Sequence, residues 1–299
     1  MRQISSNSLP EPTQKYLDDL QNKIIKGDKK DTATNFAAQV NRADKTWKPT
    51  SKHFTIIKER LQSMTVAGRC NYCECDRACD IEHIYAKSKF PQFAYTWTNY
   101  ILACSYCNSY LKIDKFAVFS PKDSAIKIDL LRNSTPVADT DAPPTDDGLL
   151  INPRIENPQA FLRLNIVGQN FFYEPISTDK SSREYQRADY TRSLFDLNNE
   201  ILAKARENQA RFYCNYLNKY IQAKNAISFD DLQKTIDGDY PFLDRTLDFK
   251  TEKNRIVENL KTTIQKAMYP TVWDELKRQR IYLCRTNDLF KAVPEALNW

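Results

Sequence analysis

Apolar residues recur every three or four positions along most of the chain, the spacing that places them on one face of an α-helix. Between residues 53 and 64, for example, Phe54, Ile57 and Leu61 share a face. The same spacing predicts helices over residues 11–26, 31–47, 53–64, 182–224, 229–237, 252–268, 272–283 and 287–297. The pattern therefore predicts a mainly α-helical protein.

The segment 182–224 is long enough for two helices, and Asn198 or Asn199 can cap the second one. One face of that second helix carries Ile201, Ala205, Phe212, Tyr216 and Tyr220. We expect this stripe to pack in the core, because apolar residues at helical spacing normally face the protein interior.

Two stretches interrupt the helical pattern. Residues 161–166 and 169–176 are short β-rich runs on either side of Val167-Gly168, which predicts a hairpin. Proline, aspartate, threonine and serine cluster over residues 133–148, a composition typical of a loop or linker. We divide the chain into an N-terminal helical region (1–68), a cysteine-rich module (69–119) and a mostly helical C-terminal region that contains the hairpin (120–299).

Composition excludes several classes of protein. The 299 residues are 41% hydrophobic, and the five glycines form neither a G-x-x-x-x-G-K-[ST] nor a G-x-G-x-x-G loop, so a nucleotide-driven step would belong to a partner. Residues 1–30 lack an apolar leader, and no run approaches the roughly 18 apolar residues of a membrane span. We therefore expect a cytoplasmic protein that neither enters a membrane nor is secreted.

The net charge of +6 is unevenly distributed. Residues 1–70 carry +6, residues 71–150 carry −3 and residues 151–299 carry +3. Basic flanks around an acidic middle are suited to nucleic acid held by the flanks while the middle binds metal ions. Ordinary solvated helix faces would produce the same distribution.

Two C-x-x-C pairs, Cys70/Cys73 and Cys104/Cys107, are the clearest motif in the chain. Each pair can offer two thiolates to one tetrahedral ion, so together they predict a structural Zn²⁺ site. Without an export signal, a metal site is a better interpretation than disulfides. Cys75 and Cys79 leave an alternative open, because either can replace one of these ligands.

The residues between the two pairs carry candidate hydrolytic chemistry. His83 is one of only two histidines, and a neutral imidazole can take a proton from an attacking water. Glu82 and Asn108 offer the oxygen ligands that Mg²⁺ or Mn²⁺ prefers. In a regular strand Glu82 and His83 point to opposite sides, so a shared phosphate would require a bend there. The other histidine, His53, lies on a predicted helix that precedes both cysteine pairs.

These residues resemble the HNH, or ββα-metal, endonucleases. The matching elements are Cys70-x-x-Cys73, Glu82-His83, Asn99 five residues before Cys104, and Cys104-x-x-Cys107-Asn108. The resemblance implies a mainly α protein with an embedded small ββα-metal module (69–119) stapled by a four-cysteine zinc site. It assigns His83 as general base, Glu82 and Asn108 as ligands of a catalytic Mg²⁺ or Mn²⁺, and Asn99 as the residue that fixes the loop bearing the base.

A narrower resemblance is to the HNH subunit of Septu-type anti-phage systems, which some retrons also carry. It rests on Cys-Asn-Tyr-Cys-Glu at 70–74, Ile-Glu-His at 81–83, Phe-Pro at 90–91 and Lys-Ile-Asp-Lys-Phe at 112–116. The family usually places Lys three residues after the asparagine of the second cysteine pair, whereas here Lys112 comes four residues after Asn108. The implied partners are DNA or RNA, a separate PtuA-like ATPase subunit docked on 120–299, and a retron reverse transcriptase with its DNA–RNA product.

The alternative is a noncatalytic zinc-ribbon module that binds nucleic acid or protein. Such a module needs only the four cysteines, whereas a nuclease also needs a base and oxygen ligands at suitable offsets. The presence of His83, Glu82 and Asn108 at those offsets favours the nuclease.

Overall fold

The computed structural model describes residues 1–4, 7–27, 31–75, 77–120, 127–130, 143, 147–236 and 242–299. The described helices are α1 (Glu11–Lys26), α2 (Phe36–Thr46), α3 (Lys52–Ser63), α4 (Arg183–Leu194), α5 (Glu200–Asn225), α6 (Phe229–Ile236), α7 (Phe249–Gln265), α8 (Pro270–Gln279) and α9 (Cys284–Ala292). The described strands are β1 (Asp80–His83), β2 (Tyr100–Ala103), β3 (Phe116–Phe119), β4 (Lys127–Leu130), β5 (Leu162–Leu164) and β6 (Tyr173–Pro175). The prediction of a mainly helical chain is confirmed.

The contacts divide the chain into two compact units. Unit 1 contains Met1–Arg163 and Tyr173–Asn198, and unit 2 contains Leu164–Phe172 and Asn199–Trp299. The division into 1–68, 69–119 and 120–299 stays a prediction. Of the predicted loop at 133–148, all but residues 143, 147 and 148 lie outside the described residues.

In unit 1, helix α3 packs against strand β2 of an antiparallel pair. The apolar stripe of α3 is confirmed, because Phe54, Ile57 and Leu61 are all buried. Strand β2 is buried along its whole length and pairs with β1 in a register that sets Asp80 opposite Ala103 and His83 opposite Tyr100. A helical segment, Tyr106–Lys112, follows β2 after only two residues. The candidate catalytic residues therefore lie on β1, directly before β2 and on this segment.

The other strands form two further two-stranded sheets. Strand β3 is fully buried and pairs antiparallel with β4, and β5 pairs with β6 at the predicted hairpin. Within the described residues, no helix combines the length and the apolar character needed to cross a bilayer.

Unit 2 is built around the 26-residue helix α5. Its N-cap is Asn199, whose side chain accepts a hydrogen bond from the backbone of Leu202 at 2.9 Å, as predicted. The predicted core stripe is wrong: Ile201 is 82% exposed, and of its five members only Tyr220 is buried. Buried Arg206 and Gln209 occupy the true inward face, and their polarity concealed it from a reading of apolar positions.

Candidate metal centre and active site

Four cysteines meet in the interior of unit 1. The sulfurs of Cys70, Cys73, Cys104 and Cys107 all lie within 4.8 Å of one another, and all four residues are buried. Two sulfurs bound to one tetrahedral zinc at about 2.3 Å are about 3.8 Å apart, and Cys73 Sγ lies 3.9 Å from Cys104 Sγ. The cluster therefore fits a metal ion such as zinc, as the spacing of the two pairs predicts.

Burial makes the Cys70 thiol a poor anion without a cation. It raises the pKa of the Cys70 thiol well above its ordinary value, because a thiolate loses its hydration in the interior. A bound divalent ion reverses this preference, since it deprotonates the thiols that coordinate it. A cation in this cluster would therefore contribute directly to the stability of the fold.

The two extra cysteines lie outside the cluster. Cys79 is exposed, and its sulfur lies 3.3 Å from both Asp80 Oδ1 and Ser105 Oγ. Cys75 is half-buried, and neither residue belongs to the group of converging sulfurs among the described residues. The geometry selects the Cys70/Cys73 and Cys104/Cys107 combination.

Strand β1 distributes its side chains between two faces. Its pairing with β2 continues through His83, so β1 is a regular strand over the candidate residues. Alternate side chains of a strand point to opposite faces. Asp80 and Glu82 therefore share one face, while Ile81 and His83 share the other, and the bend that a phosphate shared by Glu82 and His83 would require is absent from β1.

His83 is held in one orientation by a buried hydrogen bond. Its Nε2 lies 2.9 Å from the carbonyl oxygen of Ala94, which can only accept, so Nε2 carries the proton and Nδ1 keeps a lone pair. The imidazole is 7% exposed, and the indole of Trp47 packs edge-on against it with ring centroids 4.2 Å apart. Burial lowers the pKa of His83 to about 3, so the imidazole is neutral at physiological pH.

Asn99 braces the loop that supports His83. Its Oδ1 accepts from the backbone nitrogen of Tyr85 at 2.8 Å, and its Nδ2 donates to the carbonyl oxygens of Tyr85 and Phe93, each at 3.0 Å. Phe93 directly precedes Ala94, whose carbonyl holds the imidazole. Asn99 therefore connects Tyr85 to the backbone beside Ala94.

Glu82 is buried and already neutralised by a cation. Its Oε1 lies 2.6 Å from the Nζ of Lys112, and both side chains are almost fully buried. Burial raises the pKa of the Glu82 carboxyl, and the charge of Lys112 opposes that shift. Lys112 Nζ also donates to the carbonyl oxygen of His83 at 2.7 Å. Lys112 therefore links the segment Tyr106–Lys112 to β1 and points inward, away from any phosphate outside.

The segment Tyr106–Lys112 is a π-helix, which explains the spacing of its lysine. Ile113 donates to the carbonyl of Asn108 at 2.7 Å, a bond across five residues. A π-helical turn contains one residue more than an α-helical turn. Lys112 can therefore reach β1 from a position four residues after Asn108.

Asn108 contacts Asp80, a residue that the sequence reasoning overlooked. Asn108 Nδ2 donates to Asp80 Oδ2 at 3.1 Å, and both side chains are half-buried. Both line an open cavity of about 530 Å³ whose wall also includes Trp47 and Lys58. The alternation of β1 was the available signal, because it puts Asp80 on the same face as Glu82.

The comparisons with known proteins add no relative. No protein-family model matches the chain, and neither a curated protein nor a solved structure shows significant similarity to it. The site is therefore interpreted from its own residues.

Proposed function

We propose that this chain is an HNH-type endonuclease that hydrolyses phosphodiester bonds in nucleic acid with the help of Mg²⁺ or Mn²⁺. The observation that carries the proposal is the imidazole of His83, fixed through Nε2 by the Ala94 carbonyl and backed by the loop that Asn99 braces. A four-cysteine cluster and a strand–strand–helix order surround it. A nuclease needs this combination, whereas a structural zinc module needs only the four cysteines.

In this proposal His83 is the general base. Its Nδ1 lone pair takes a proton from the water that attacks phosphorus, and the hydrogen bond from Nε2 to the Ala94 carbonyl stabilises the imidazolium that forms. Burial keeps this imidazole unprotonated, but a pKa of about 3 also makes it a weak proton acceptor, so the proposal needs that pKa to rise when the segment around Trp47 moves. Lys58, on the wall of the neighbouring cavity, is positioned to attract the substrate's phosphates.

Asn108 and a carboxylate of β1 would hold the divalent ion. The resemblance assigns that carboxylate to Glu82. When bound, the ion supplies positive charge that stabilises the developing charge on the phosphate and on the leaving oxygen. Asn99 acts through the loop and His83, and touches neither the ion nor the substrate.

The biological setting is proposed from the resemblance alone. The nuclease would be the effector of an anti-phage complex in which a PtuA-like ATPase supplies sensing and the region 120–299 provides the docking surface. The absence of a phosphate-cradling glycine loop in this chain supports a separate ATPase.

One observation favours the noncatalytic alternative, a zinc module that binds nucleic acid or protein. His83 is 93% buried beneath Trp47, as a structural histidine would be. The nuclease proposal therefore requires two movements: the segment around Trp47 must open before a phosphate reaches Nδ1, and β1 must bend at Glu82-His83 so that the base and the ion ligands face one phosphate.

The two functions are separated by a cleavage assay with a matched histidine control. Zinc-loaded wild type, His83→Ala and His53→Ala are incubated with plasmid DNA and with total cellular RNA, with and without Mg²⁺. We expect wild type and His53→Ala to cleave one of these substrates only with Mg²⁺, and His83→Ala to leave it intact. Binding without cleavage by any of the three, alone or with the ATPase partner, would support the noncatalytic alternative.

A further inference from the structure

The ion assignment that the resemblance gives to Glu82 does not fit its surroundings. The carboxylate already faces the ammonium group of Lys112 at 2.6 Å, and both are almost completely buried. A divalent ion at the same carboxylate would bring a second cation against a buried lysine. Removing either member of a buried pair leaves an uncompensated charge, which is strongly destabilising. Glu82 therefore serves as the counter-ion of Lys112.

Asp80 has the properties that Glu82 lacks. It lies two residues earlier on β1, so its side chain points to the same face. It borders the cavity of about 530 Å³, which is large enough for a hydrated cation. Its contacts there are the Cys79 sulfur at 3.3 Å and the amide of Asn108, the other predicted ligand, at 3.1 Å. Rotation of that amide about its own axis would present an oxygen in place of the nitrogen.

The chemistry of the donor pair suits a hard cation. Mg²⁺ and Mn²⁺ prefer carboxylate and amide oxygens, and Mg²⁺ in particular keeps several of its waters and uses only one or two protein ligands. An open cavity beside Asp80 and Asn108 leaves room for those waters and for a phosphate oxygen.

We propose that Asp80, together with Asn108, holds the divalent ion, and that Glu82 is a positioning residue. This inference rests on the proposed nuclease function and replaces Glu82 by Asp80 as the carboxylate ligand of the divalent ion. Through Lys112, which also donates to the His83 carbonyl at 2.7 Å, Glu82 fixes the end of β1 where the base is attached.

The test measures Mn²⁺ binding directly on the zinc-loaded full chain, by electron paramagnetic resonance and by calorimetry. Asp80→Asn is compared with the control Asp129→Asn, an exposed strand aspartate that pairs with Lys127. Glu82 is tested in the double variant Glu82→Gln/Lys112→Met, which removes both charges of the buried pair together. Zinc content and circular dichroism show whether each variant is folded.

We expect Asp80→Asn to weaken Mn²⁺ binding at least tenfold, with its zinc content unchanged. Asp129→Asn and the double variant should bind Mn²⁺ within threefold of wild type. If the double variant folds and loses Mn²⁺ while Asp80→Asn keeps it, Glu82 is the ligand and our assignment is wrong, although the nuclease proposal survives. If wild type binds no Mn²⁺ and cleaves nothing, the assignment and the nuclease proposal both fail.

Discussion

At the scale of single residues, the site depends on what burial does to two side chains of adjacent positions. Burial keeps the imidazole of His83 neutral, and it forces the carboxylate of Glu82 to keep Lys112 as its counter-ion. The same strand thus carries a neutral imidazole on one face and a buried ion pair on the other. Asp80 borders the cavity and is therefore the carboxylate that we propose as the ligand of the divalent ion.

The low pKa of His83 predicts how stability depends on pH. The unfolded chain takes up a proton near the ordinary histidine pKa of 6.5, whereas the folded imidazole does so only at about 3. The stabilising contribution of the neutral ring is therefore complete above pH 6.5 and is lost as pH falls towards 3. Between pH 7 and 4.5 we expect a loss of about 2–3 kcal/mol in the free energy of unfolding.

Urea unfolding of wild type and His83→Gln at several pH values measures this contribution. Each protein gives a plot of unfolding free energy against pH. The difference between the slopes of the two plots is the contribution of His83, because the other titrating groups are common to both proteins. Identical pH dependence in the two proteins would contradict the description of His83 as a buried neutral base.

At the scale of elements, the connection between α2 and α3 covers the base. Trp47 follows the end of α2, and its indole contacts the rings of Phe54, His83, Tyr95 and Tyr100. It also lines the cavity that contains Asp80 and Asn108. Both the shielding of His83 and the shape of the cavity therefore depend on a residue 36 positions away in the chain.

We predict that Trp47→Leu raises the pKa of His83 from about 3 towards 6.5, because water reaches the ring and removes part of the desolvation penalty. Nuclear magnetic resonance titration of the imidazole protons measures it, and a His53→Gln background removes the second histidine signal. Trp273→Leu in unit 2, which touches no histidine, is the control for a lost tryptophan. An unchanged pKa in Trp47→Leu would show that Trp47 is not what shields the base.

The contrast between the cysteine cluster and Trp47 explains how far the sequence could predict the site. Short-range rules predicted the bounds of α1, a cap at Asn198 or Asn199 and two cysteine pairs with the spacing of metal ligands, because each depends on local spacing. Sequence reasoning missed Trp47 because its contact with His83 depends on how separate elements pack. Buried Arg206 likewise obscured the inward face of α5, since a buried charge breaks the apolar pattern.

At the scale of the whole molecule, the cysteine cluster joins two stretches of unit 1 that are 30 residues apart in sequence. The segment between Cys73 and Cys104 contains β1, the braced loop and β2. A metal ion at the cluster therefore closes a loop that holds most of the candidate catalytic residues, while unit 2 has its own helices and buried residues.

We predict that Cys104→Ser loses its zinc and the hydrogen-exchange protection of β1 and β2, while helices α5 to α9 stay protected. Zinc content by mass spectrometry and peptide-resolved hydrogen exchange measure the two effects. Cys284→Ser, at an exposed cysteine outside the cluster, should retain both zinc and protection. Full zinc content in Cys104→Ser would rule out the four-cysteine metal site.

The most direct test of the account is the single-turnover cleavage rate of zinc-loaded His83→Ala relative to wild type, with saturating Mg²⁺ and the nucleic acid that wild type cuts. A positioned general base contributes roughly 10²–10⁴-fold to rate. We predict a loss of at least 10²-fold, with zinc content and Mn²⁺ affinity unchanged. Equal rates for the two proteins would contradict the claim that the zinc-stapled module presents His83 as its base.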